Sequence, residues 1–377
     1  MGTDRRKLGI ALIGTGFMGD THTYAYRRVA TLREAPPLVP DLRIVADVDA
    51  AAAEAFARRW NIPAWTTDWE SVLEGAGVEM VDICTPPDFH STIGAAAASA
   101  GLHVYCEKPV GRDLSETRVL AETVRREGVF GYVGFNYRWV PAVVLARQLV
   151  VEGRLGDLAE MHVRYQSSRF FDPQMPWYWK FDRSVGGGGA LADQGSHAFD
   201  MARFLAGEIS GVCGLTETVI RERPDPENPG QTKPVENEDV WAAHVVFDNG
   251  AFGTLHGSRI AAGTLTEFGF DLYGSRGAAR WSIRHLNELE VYEPDRDGLD
   301  GFRTIRIGPE HPIHGRYVPR RGHSISFNDL KAIEIADLME ALATGREPRP
   351  NIEDALAVAR IVDAIPQRTW ISLKDRK

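Results

Sequence analysis

The sequence has little cysteine and no apolar run long enough to cross a membrane. Its cysteines, Cys84, Cys106 and Cys213, form no CxxC pair and cannot all pair with one another, so a reducing compartment suits them. The apolar run that follows Arg5 and Arg6 is too short for a membrane span and leads straight into a glycine motif. We therefore expect a cytoplasmic protein with free thiols.

The sequence also lacks an excess of positive charge. Its formal net charge is -9 and its pI is near 5.7, which argues against a broad nucleic-acid or anionic-membrane surface. A small molecule is the better expected partner. With 377 residues, 44% of them hydrophobic and 25% charged, the chain has the composition of a globular protein and room for two domains.

The N-terminal third alternates short apolar runs with helical patterns. The strand candidates are LGIALI, LRIVADV, MVDIC, LHVYC and VFGYVG, and alanine-rich segments such as AAAAEAFARRW separate them. This alternation is typical of a parallel sheet with helices on both faces. The pattern predicts an α/β domain over residues 1–134.

After Phe135 the runs become longer and more β-like, as in AEMHVRYQSSRF and DVWAAHVVF. Asp248-Asn249-Gly250 is a strong hairpin turn, so we predict a large, mainly antiparallel, open-faced sheet in an α/β domain over residues 135–377. RERPDPENPGQTKP is predicted to be an exposed loop, and residues 293–322 a long irregular segment. Helical patterns cover residues 327–343 and 352–365, and these helices could pack back on the first domain.

A GxGxxG motif follows the first predicted strand and precedes a helical stretch, which is the context that a dinucleotide site requires. Its glycines are Gly14, Gly16 and Gly19. They would permit a tight turn, close approach of the pyrophosphate, and packing of helix on strand. The motif predicts a Rossmann domain. The second strand ends at Asp47, where a carboxylate would accept hydrogen bonds from the adenosine ribose and repel a 2′-phosphate, so NAD is favoured over NADP.

Two further stretches place charged groups at unusual points. In VYCEKPVG, Glu107 and Lys108 stand where an apolar run stops, and a solvated strand end and a functional position are both open. After a run of four glycines, Asp193 and His197 are four residues apart on a predicted helix. The aspartate could fix the tautomer of the histidine for proton transfer. A surface ion pair and a metal pair remain alternatives, and we predict no metal because a catalytic zinc would need a third protein ligand.

The segment MPWYWKFDR combines aromatic rings and cations just before the glycine run. Trp177 and Trp179 could stack on the C–H faces of a sugar, while Lys180 and Arg183 could bind its hydroxyls. A position in the core for at least one tryptophan remains open.

Taken together, GTGFMG, VDICTPPDFH, HVYCEKPVG, VGFNYRW and GGGALADQGSHAFDMARFL resemble the successive signatures of the Gfo/Idh/MocA oxidoreductases, the glucose-fructose oxidoreductase and inositol dehydrogenase group. The resemblance runs over almost the whole chain. It implies that Lys108, Asp193 and His197 are catalytic, and that the Lys108–Pro109 bond is cis. It also implies a homodimer or homotetramer formed through the open face of the large sheet.

The same resemblance extends the predicted sites. Predicted to bind the cofactor are Gly14, Gly16, Phe17, Met18, Gly19, Asp47, Thr85, Pro86, His90, Glu107, Lys108 and Asn136. Predicted to bind substrate are Lys108, Arg138, Trp177, Trp179, Asp193, His197 and His323. A junction contact remains an alternative for Asn136 and Arg138.

The expected activity is oxidation of a secondary hydroxyl of a neutral sugar, inositol or anhydro-sugar, with hydride passing to NAD. His197 would take the hydroxyl proton, Lys108 would stabilise the developing alkoxide, and Asp193 would orient His197. Two alternatives remain, an NAD-dependent glycoside hydrolase and a cofactor-sensing regulator. A regulator could dispense with these three residues, so their presence together argues against it.

Overall fold

The chain forms two compact units, each with its own sheet. The computed structural model describes residues 5–32, 34–75, 77–294, 298, 300–367 and 371–373. One unit comprises Met1–Asn136 and Ile325–Leu356, and the other comprises Tyr137–Ser324 and Ala357–Lys377. The assignment of separate functions to residues 1–134 and 135–377 stays a prediction.

The first unit contains a parallel sheet. Its strands are β1 (Lys7–Ile13), β2 (Val39–Ala46), β3 (Ala64–Thr66), β4 (Met80–Ile83), β5 (His103–Cys106) and β6 (Gly131–Val133). Their order is β3-β2-β1-β4-β5-β6, and every neighbouring pair is parallel. All of β1 after Lys7 is buried, as a strand covered on both faces requires. The predicted doubly wound Rossmann sheet is confirmed, and the short edge strand β3 is an addition to the predicted strands.

Helices connect these strands. They are α1 (Phe17–Ala30), α2 (Ala50–Trp60), α3 (Pro87–Ser99) and α4 (Leu114–Glu127). Two begin at an aspartate whose side chain accepts backbone N–H groups of the first turn, Asp49 for α2 and Asp113 for α4, which satisfies donors left free at a helix start. Gly128 ends α4 in the left-handed conformation, at φ 68°.

The second unit contains a large mixed sheet. The strands of this unit are β7 (Leu158–Ser167), β8 (Ile209–Glu217), β9 (Glu222–Pro224), β10 (Thr232–Pro234), β11 (Val240–Phe247), β12 (Phe252–Ser258), β13 (Thr266–Gly274), β14 (Gly277–Ser282), β15 (Glu288–Tyr292), β16 (Arg303–Arg306) and β17 (Ile371–Ser372). Of these, β9 and β10 form a separate two-stranded ribbon. Within the described residues the large sheet has the order β16-β15-β14-β13-β7-β12-β11-β8-β17. Only the β7–β12 pair of this order is parallel. The predicted mainly antiparallel sheet is confirmed.

Four helices accompany this sheet. They are α5 (Pro141–Val151), α6 (Arg183–Gly186), α7 (Ser196–Ala206) and α8 (His314–Tyr317). Of these, α5 and α7 pack against the sheet and against each other. The predicted loop RERPDPENPGQTKP is wrong in part, because it contains β9 and β10, which pair antiparallel. The irregular segment 293–322 likewise contains β16 and α8.

The last two helices are α9 (Phe327–Thr344) and α10 (Ile352–Ala364), within one residue of the predicted bounds. Ser326 and Asp329 form a capping box at the start of α9. In the first unit, α9 packs on α1. Among the helices that the structure describes, none combines the length and apolar character of a membrane span.

Candidate functional site

The glycine turn between β1 and α1 leaves space where a phosphate would approach. A Cβ on Gly14 (φ +101°) would lie 2.7 Å from the carbonyl group of Cys84, and one on Gly19 would lie 2.1 Å from the Gly14 oxygen. A Cβ on Gly16 would meet nothing within 4 Å, and Gly16 is the N-cap of α1. The turn therefore fits a dinucleotide: two glycines pack it, and the third leaves the helix N-terminus open.

Asp47 lies at the end of β2, beside this turn. Its Oδ2 accepts the backbone N–H and the hydroxyl of Thr15 at 2.8 and 2.6 Å, and its Oδ1 accepts the N–H of Asp49 at 3.1 Å. The carboxylate is half-buried. It is thereby fixed next to the glycine turn, and its contact with a ribose stays a prediction. Phe17, 73% exposed, and Met18 follow Gly16 in the first turn of α1.

The loop after β4 is tied to the segment after β5 by His90. Its ring nitrogens lie 2.7 Å from the Pro109 oxygen and 2.7 Å from the Thr85 oxygen. Burial lowers the pKa of His90, against the effect of these two carbonyl contacts. Thr85 is half-buried, and Pro86 is exposed and caps α3. His90 thus fixes two loops, and its own contact with a cofactor stays a prediction, as do those of Thr85 and Pro86.

Lys108 stands at the carboxyl end of β5, where ligands of parallel sheets bind. It is half-buried, and the Lys108–Pro109 bond is cis, as the family resemblance implies. Glu107 is buried, and its Oε2 accepts the backbone N–H of Lys108 at 3.1 Å. Asn136, 5% exposed, begins a 3-10 turn after β6.

A cluster of buried charges lies behind Lys108 in the same unit. His22 contacts Asp82 and Glu107, and Lys331 contacts Glu107 and Glu334. His22, Asp82 and Cys84 offer donor atoms within 4.8 Å of one another. Because both ring nitrogens of His22 already face carboxylates, we assign this trio no metal.

In the second unit, Asp193 lies in a π-helical turn, Leu191–Gly195, directly before α7. The α-helical spacing predicted between Asp193 and His197 is therefore wrong for this turn. Such π-turns are frequent at functional sites because they redirect side chains. Here Asp193 Oδ2 accepts a hydrogen bond from Lys180 Nζ at 2.9 Å. The Asp193 side chain is 40% exposed. Its cationic partner is Lys180, which the sequence analysis had predicted to bind the hydroxyls of a sugar.

His197 lies in the first turn of α7 against an aromatic wall. The residue is 7% exposed, and the centroid of its ring lies 4.8 Å from that of Tyr137, 6.1 Å from that of Tyr165 and 6.3 Å from that of Phe268. An imidazole packed in this way has little rotational freedom, which favours a fixed direction for proton transfer.

Buried contacts around Phe181, the residue after Lys180, fix the position of Lys180. Phe181 is fully buried, and two guanidinium groups lie near its ring, that of Arg223 at 4.3 Å and that of Arg259 at 5.1 Å from the centroid. Asn237 donates to the Lys180 oxygen at 2.9 Å. The backbone of Lys180 is therefore anchored, and its ammonium group also lies 5.5 Å from the centroid of Trp179.

The glycine run shapes the same region. A Cβ on Gly189 would lie 2.1 Å from the Glu238 oxygen, and Ala190 donates its N–H to that oxygen at 2.8 Å. The run therefore permits close backbone approach just before the π-turn that carries Asp193.

Other predicted substrate residues have structural partners. The Trp177 indole donates to the Pro234 oxygen at 2.9 Å, and the half-buried Trp177 side chain packs against the core cluster around Phe181. The Arg138 guanidinium, 9% exposed, binds both oxygens of Asp200. His323 is exposed. Whether any of these contacts substrate stays a prediction.

Sequence reasoning missed the partners of Glu107. Lys331 is a lone cation in the apolar helix FNDLKAIEIADLMEALAT, and it is fully buried. A lysine on an apolar helical face is the only signal for it, and two of its partners, Tyr105 and Glu107, lie more than 220 residues away along the chain.

Comparison with protein-family models gives a match over most of the chain. Residues 8–135 match an oxidoreductase family with an NAD-binding Rossmann fold, and residues 143–280 match a GFO/IDH/MocA C-terminal domain.

Individual relatives extend along the whole chain. Levoglucosan dehydrogenase of Pseudarthrobacter phenanthrenivorans is 33% identical and covers 98% of each chain. Inositol 2-dehydrogenase of Rhizobium meliloti is 28% identical and covers 94% of each chain. A structure of levoglucosan dehydrogenase in complex with NADH and levoglucosan superposes with a TM-score of 0.94 at 34% identity, covering 98% of this chain and 100% of the other.

Proposed function

Because the chain belongs to the Gfo/Idh/MocA family of NAD-binding oxidoreductases, we propose that it oxidises a secondary hydroxyl of a neutral anhydro-sugar, sugar or inositol to the ketone. Similarity to levoglucosan dehydrogenase over 98% of both chains is the observation that carries this proposal. Levoglucosan is therefore the first substrate to test, and inositols are the second because of the relative named for them.

NAD, when bound, accepts the hydride released from the carbinol carbon. The chain would hold its pyrophosphate at Gly16 and the start of α1, and its ribose at Asp47. NAD is preferred to NADP in this proposal because the Asp47 carboxylate would repel a 2′-phosphate.

Three side chains carry the chemistry in this proposal. His197 accepts the proton of the substrate hydroxyl as the hydride leaves. Lys108 donates a hydrogen bond to the oxygen on which negative charge develops. Asp193 orients His197, and the Lys180 ammonium group, 2.9 Å from Asp193, balances the negative charge of that carboxylate.

The oligomeric state and the cellular location of the protein are part of the same proposal. A face of the large sheet presents apolar side chains, among them Leu215 (57% exposed) and Phe252 (42% exposed). Burial of such a face favours self-association, so we propose a homodimer or homotetramer. We propose a cytoplasmic location because the cysteines need no disulfide partner.

The test follows cofactor reduction by absorbance with NAD and NADP against levoglucosan, inositols and aldoses. The wild type is compared with Lys108→Ala and His197→Ala. Activity with one neutral polyol that both variants lose, while they still bind NADH, supports the proposal. A wild type that binds NADH but oxidises no compound contradicts it. Release of free sugar from a glycoside without net NADH would instead indicate the hydrolase.

A further inference from the structure

Buried charged groups converge on the residue that precedes Lys108. Glu107 Oε1 accepts a hydrogen bond from Lys331 Nζ at 2.6 Å and lies 3.0 Å from His22 Nε2. The other oxygen, Oε2, accepts the backbone N–H of Lys108 at 3.1 Å. One carboxylate therefore links two buried cationic side chains to the peptide that carries the lysine.

The groups that hold Glu107 come from separate elements of the first unit. His22 lies on α1, and its Nδ1 lies 2.9 Å from Oδ2 of Asp82 on β4. Lys331 lies on α9, where it pairs with Glu334 at 2.8 Å and donates to the Tyr105 hydroxyl at 3.0 Å. The carboxylates of Asp82, Glu107 and Glu334 and the side chain of Tyr105 are all buried, so solvent does not weaken their contacts with His22 and Lys331.

The carboxylate of Glu107 is also confined sterically. A Cβ on Gly134 would lie 2.4 Å from Oε1 of Glu107, so this glycine leaves only the space that the carboxylate occupies. The ring of His22, which faces Oε1 of Glu107, is itself stacked on the ring of Tyr105 with centroids 4.8 Å apart. These contacts hold the Glu107 carboxylate where both of its oxygens have partners.

Stability alone does not account for this cluster. Buried ion pairs are often no more stabilising than well-packed apolar side chains of the same volume, because both charges must be desolvated. Their best-supported benefit is structural specificity. The group fixed here is the peptide N–H of Lys108.

We infer that Glu107 is a positioning residue, held by Lys331 and His22, which fixes the backbone of Lys108 and so aims its side chain at the reacting oxygen. This inference rests on the proposed function, because that function gives Lys108 its role. A displacement of about 1 Å in a group that must meet a reacting atom can lower the rate about 100-fold.

The test uses the full-length protein with Glu107→Gln and the double variant Glu107→Gln/Lys331→Met. The amide keeps the shape of the side chain but leaves two buried cations without their shared carboxylate. The sequence predicted a cofactor contact for Glu107, but Oε1 faces Lys331 and His22 and Oε2 accepts the Lys108 N–H. We therefore expect kcat to fall about 10- to 100-fold, with the Kd of NADH changed by less than about threefold. The double variant also removes the Lys331 charge, which has lost one of its two carboxylate partners, so it should regain thermal stability but not kcat.

Glu334→Gln is the matched control. Glu334 is fully buried and pairs with Lys331, and the carboxylate that accepts the Lys108 N–H is that of Glu107. It should alter thermal stability and leave kcat within about twofold of the wild type. A double variant that regains both stability and kcat, or a Glu334→Gln variant as slow as Glu107→Gln, would overturn the inference.

A crystallographic readout keeps the inference separate from the proposed function. Structures of the wild type and the double variant with NADH should place Lys108 Nζ at positions about 1 Å or more apart. If the wild type oxidised no polyol, the proposed function would fail, while this displacement would still support the positioning role. An unmoved lysine in a slow variant would contradict positioning and leave the proposed function standing.

Discussion

Gly16 differs from its neighbouring glycines in what surrounds it. A Cβ there meets nothing within 4 Å, whereas a Cβ on Gly19 would lie 2.1 Å from a backbone oxygen. We therefore predict that Gly16→Ala weakens NADH binding about tenfold or more, because the methyl group occupies space for the pyrophosphate. The free energy of unfolding should change by less than about 1 kcal/mol. Fluorescence titration and urea unfolding measure the two quantities.

Gly19→Ala is the comparison for that variant. Its methyl group would force the Gly14 carbonyl away, so unfolding should become easier even without cofactor. Equal NADH affinity in Gly16→Ala and the wild type would show that this turn does not hold the pyrophosphate.

Lys180 pairs with a predicted catalytic residue, which the sequence did not indicate. Its ammonium group lies 2.9 Å from Asp193, and hydrogen bonds to charged groups contribute roughly 1.5–3 kcal/mol. Both side chains are partly exposed, so we take the lower end and predict that Lys180→Met lowers kcat/KM about tenfold. Steady-state kinetics with levoglucosan, or with the polyol that the cofactor-reduction assay identifies, measure this.

Lys233→Met is the matched control for Lys180→Met. Lys233 also lies over a tryptophan, 5.2 Å from the centroid of Trp177, but its ion pairs are to Asp225 and Glu227 of the β9–β10 region. We expect it to leave kcat/KM within about twofold. Equal losses in the two variants would indicate a general effect on this segment.

At the level of elements, apolar patterns predicted most of the strands and helices, whereas segments rich in proline and charge were predicted less well. The runs LGIALI and MVDIC became β1 and β4, since continuous apolar runs between turns describe buried parallel strands. The ribbon β9–β10 escaped prediction because prolines and charges have poor strand propensity. Tertiary contacts hold it: the backbone N–H of Trp177 donates to the Pro224 oxygen, and Arg223 stacks on Phe181.

The candidate site followed the same division. Short motifs were enough to single out Gly14, Lys108 and His197 as candidate site residues, because the chemistry expected of them depends on local sequence patterns. The π-turn at Asp193 and the partner Lys331 on α9 were not visible, since one depends on local packing and the other on a contact between distant parts of the chain. Sequence spacing alone carries neither kind of information.

The contact of α1 with β4 predicts a dependence of stability on pH. Burial acts to lower the pKa of His22, but Asp82 and Glu107 outweigh it and raise that pKa to about 9. Because the pKa of His22 is higher in the folded chain than in the unfolded chain, protonation of His22 stabilises the folded state. This stabilisation is complete below the unfolded pKa of about 6.5 and is lost as the pH rises through 9. The difference of about 2.5 pKa units corresponds to about 3 kcal/mol.

We therefore predict that the wild type loses about 3 kcal/mol of unfolding free energy between pH 6.5 and about pH 9.5 relative to His22→Gln. Urea unfolding of both proteins at each pH measures the difference, and their subtraction removes groups that titrate alike in both. Parallel pH profiles for the two proteins would show that His22 is not charged in the folded state.

At the scale of the whole molecule, one face of the large sheet argues for self-association. Leu215 pairs with Ala242, and Phe252 pairs with Val246, so both side chains lie on the face that also carries His244. Leu215 and Phe252 are 57% and 42% exposed. Apolar side chains on a wide, regular surface favour contact with a second copy.

We predict that Leu215→Glu/Phe252→Glu lowers the oligomeric mass measured by light scattering, because charges of one sign would face each other across a two-fold interface. The fold should survive, since neither side chain belongs to the core, and circular dichroism and thermal unfolding check this. Val119→Glu, an equally exposed apolar position on α4 at 51% exposure, is the control and should keep the wild-type mass. A monomeric wild type would contradict self-association, and the same oligomeric mass for all three proteins would place it on another surface.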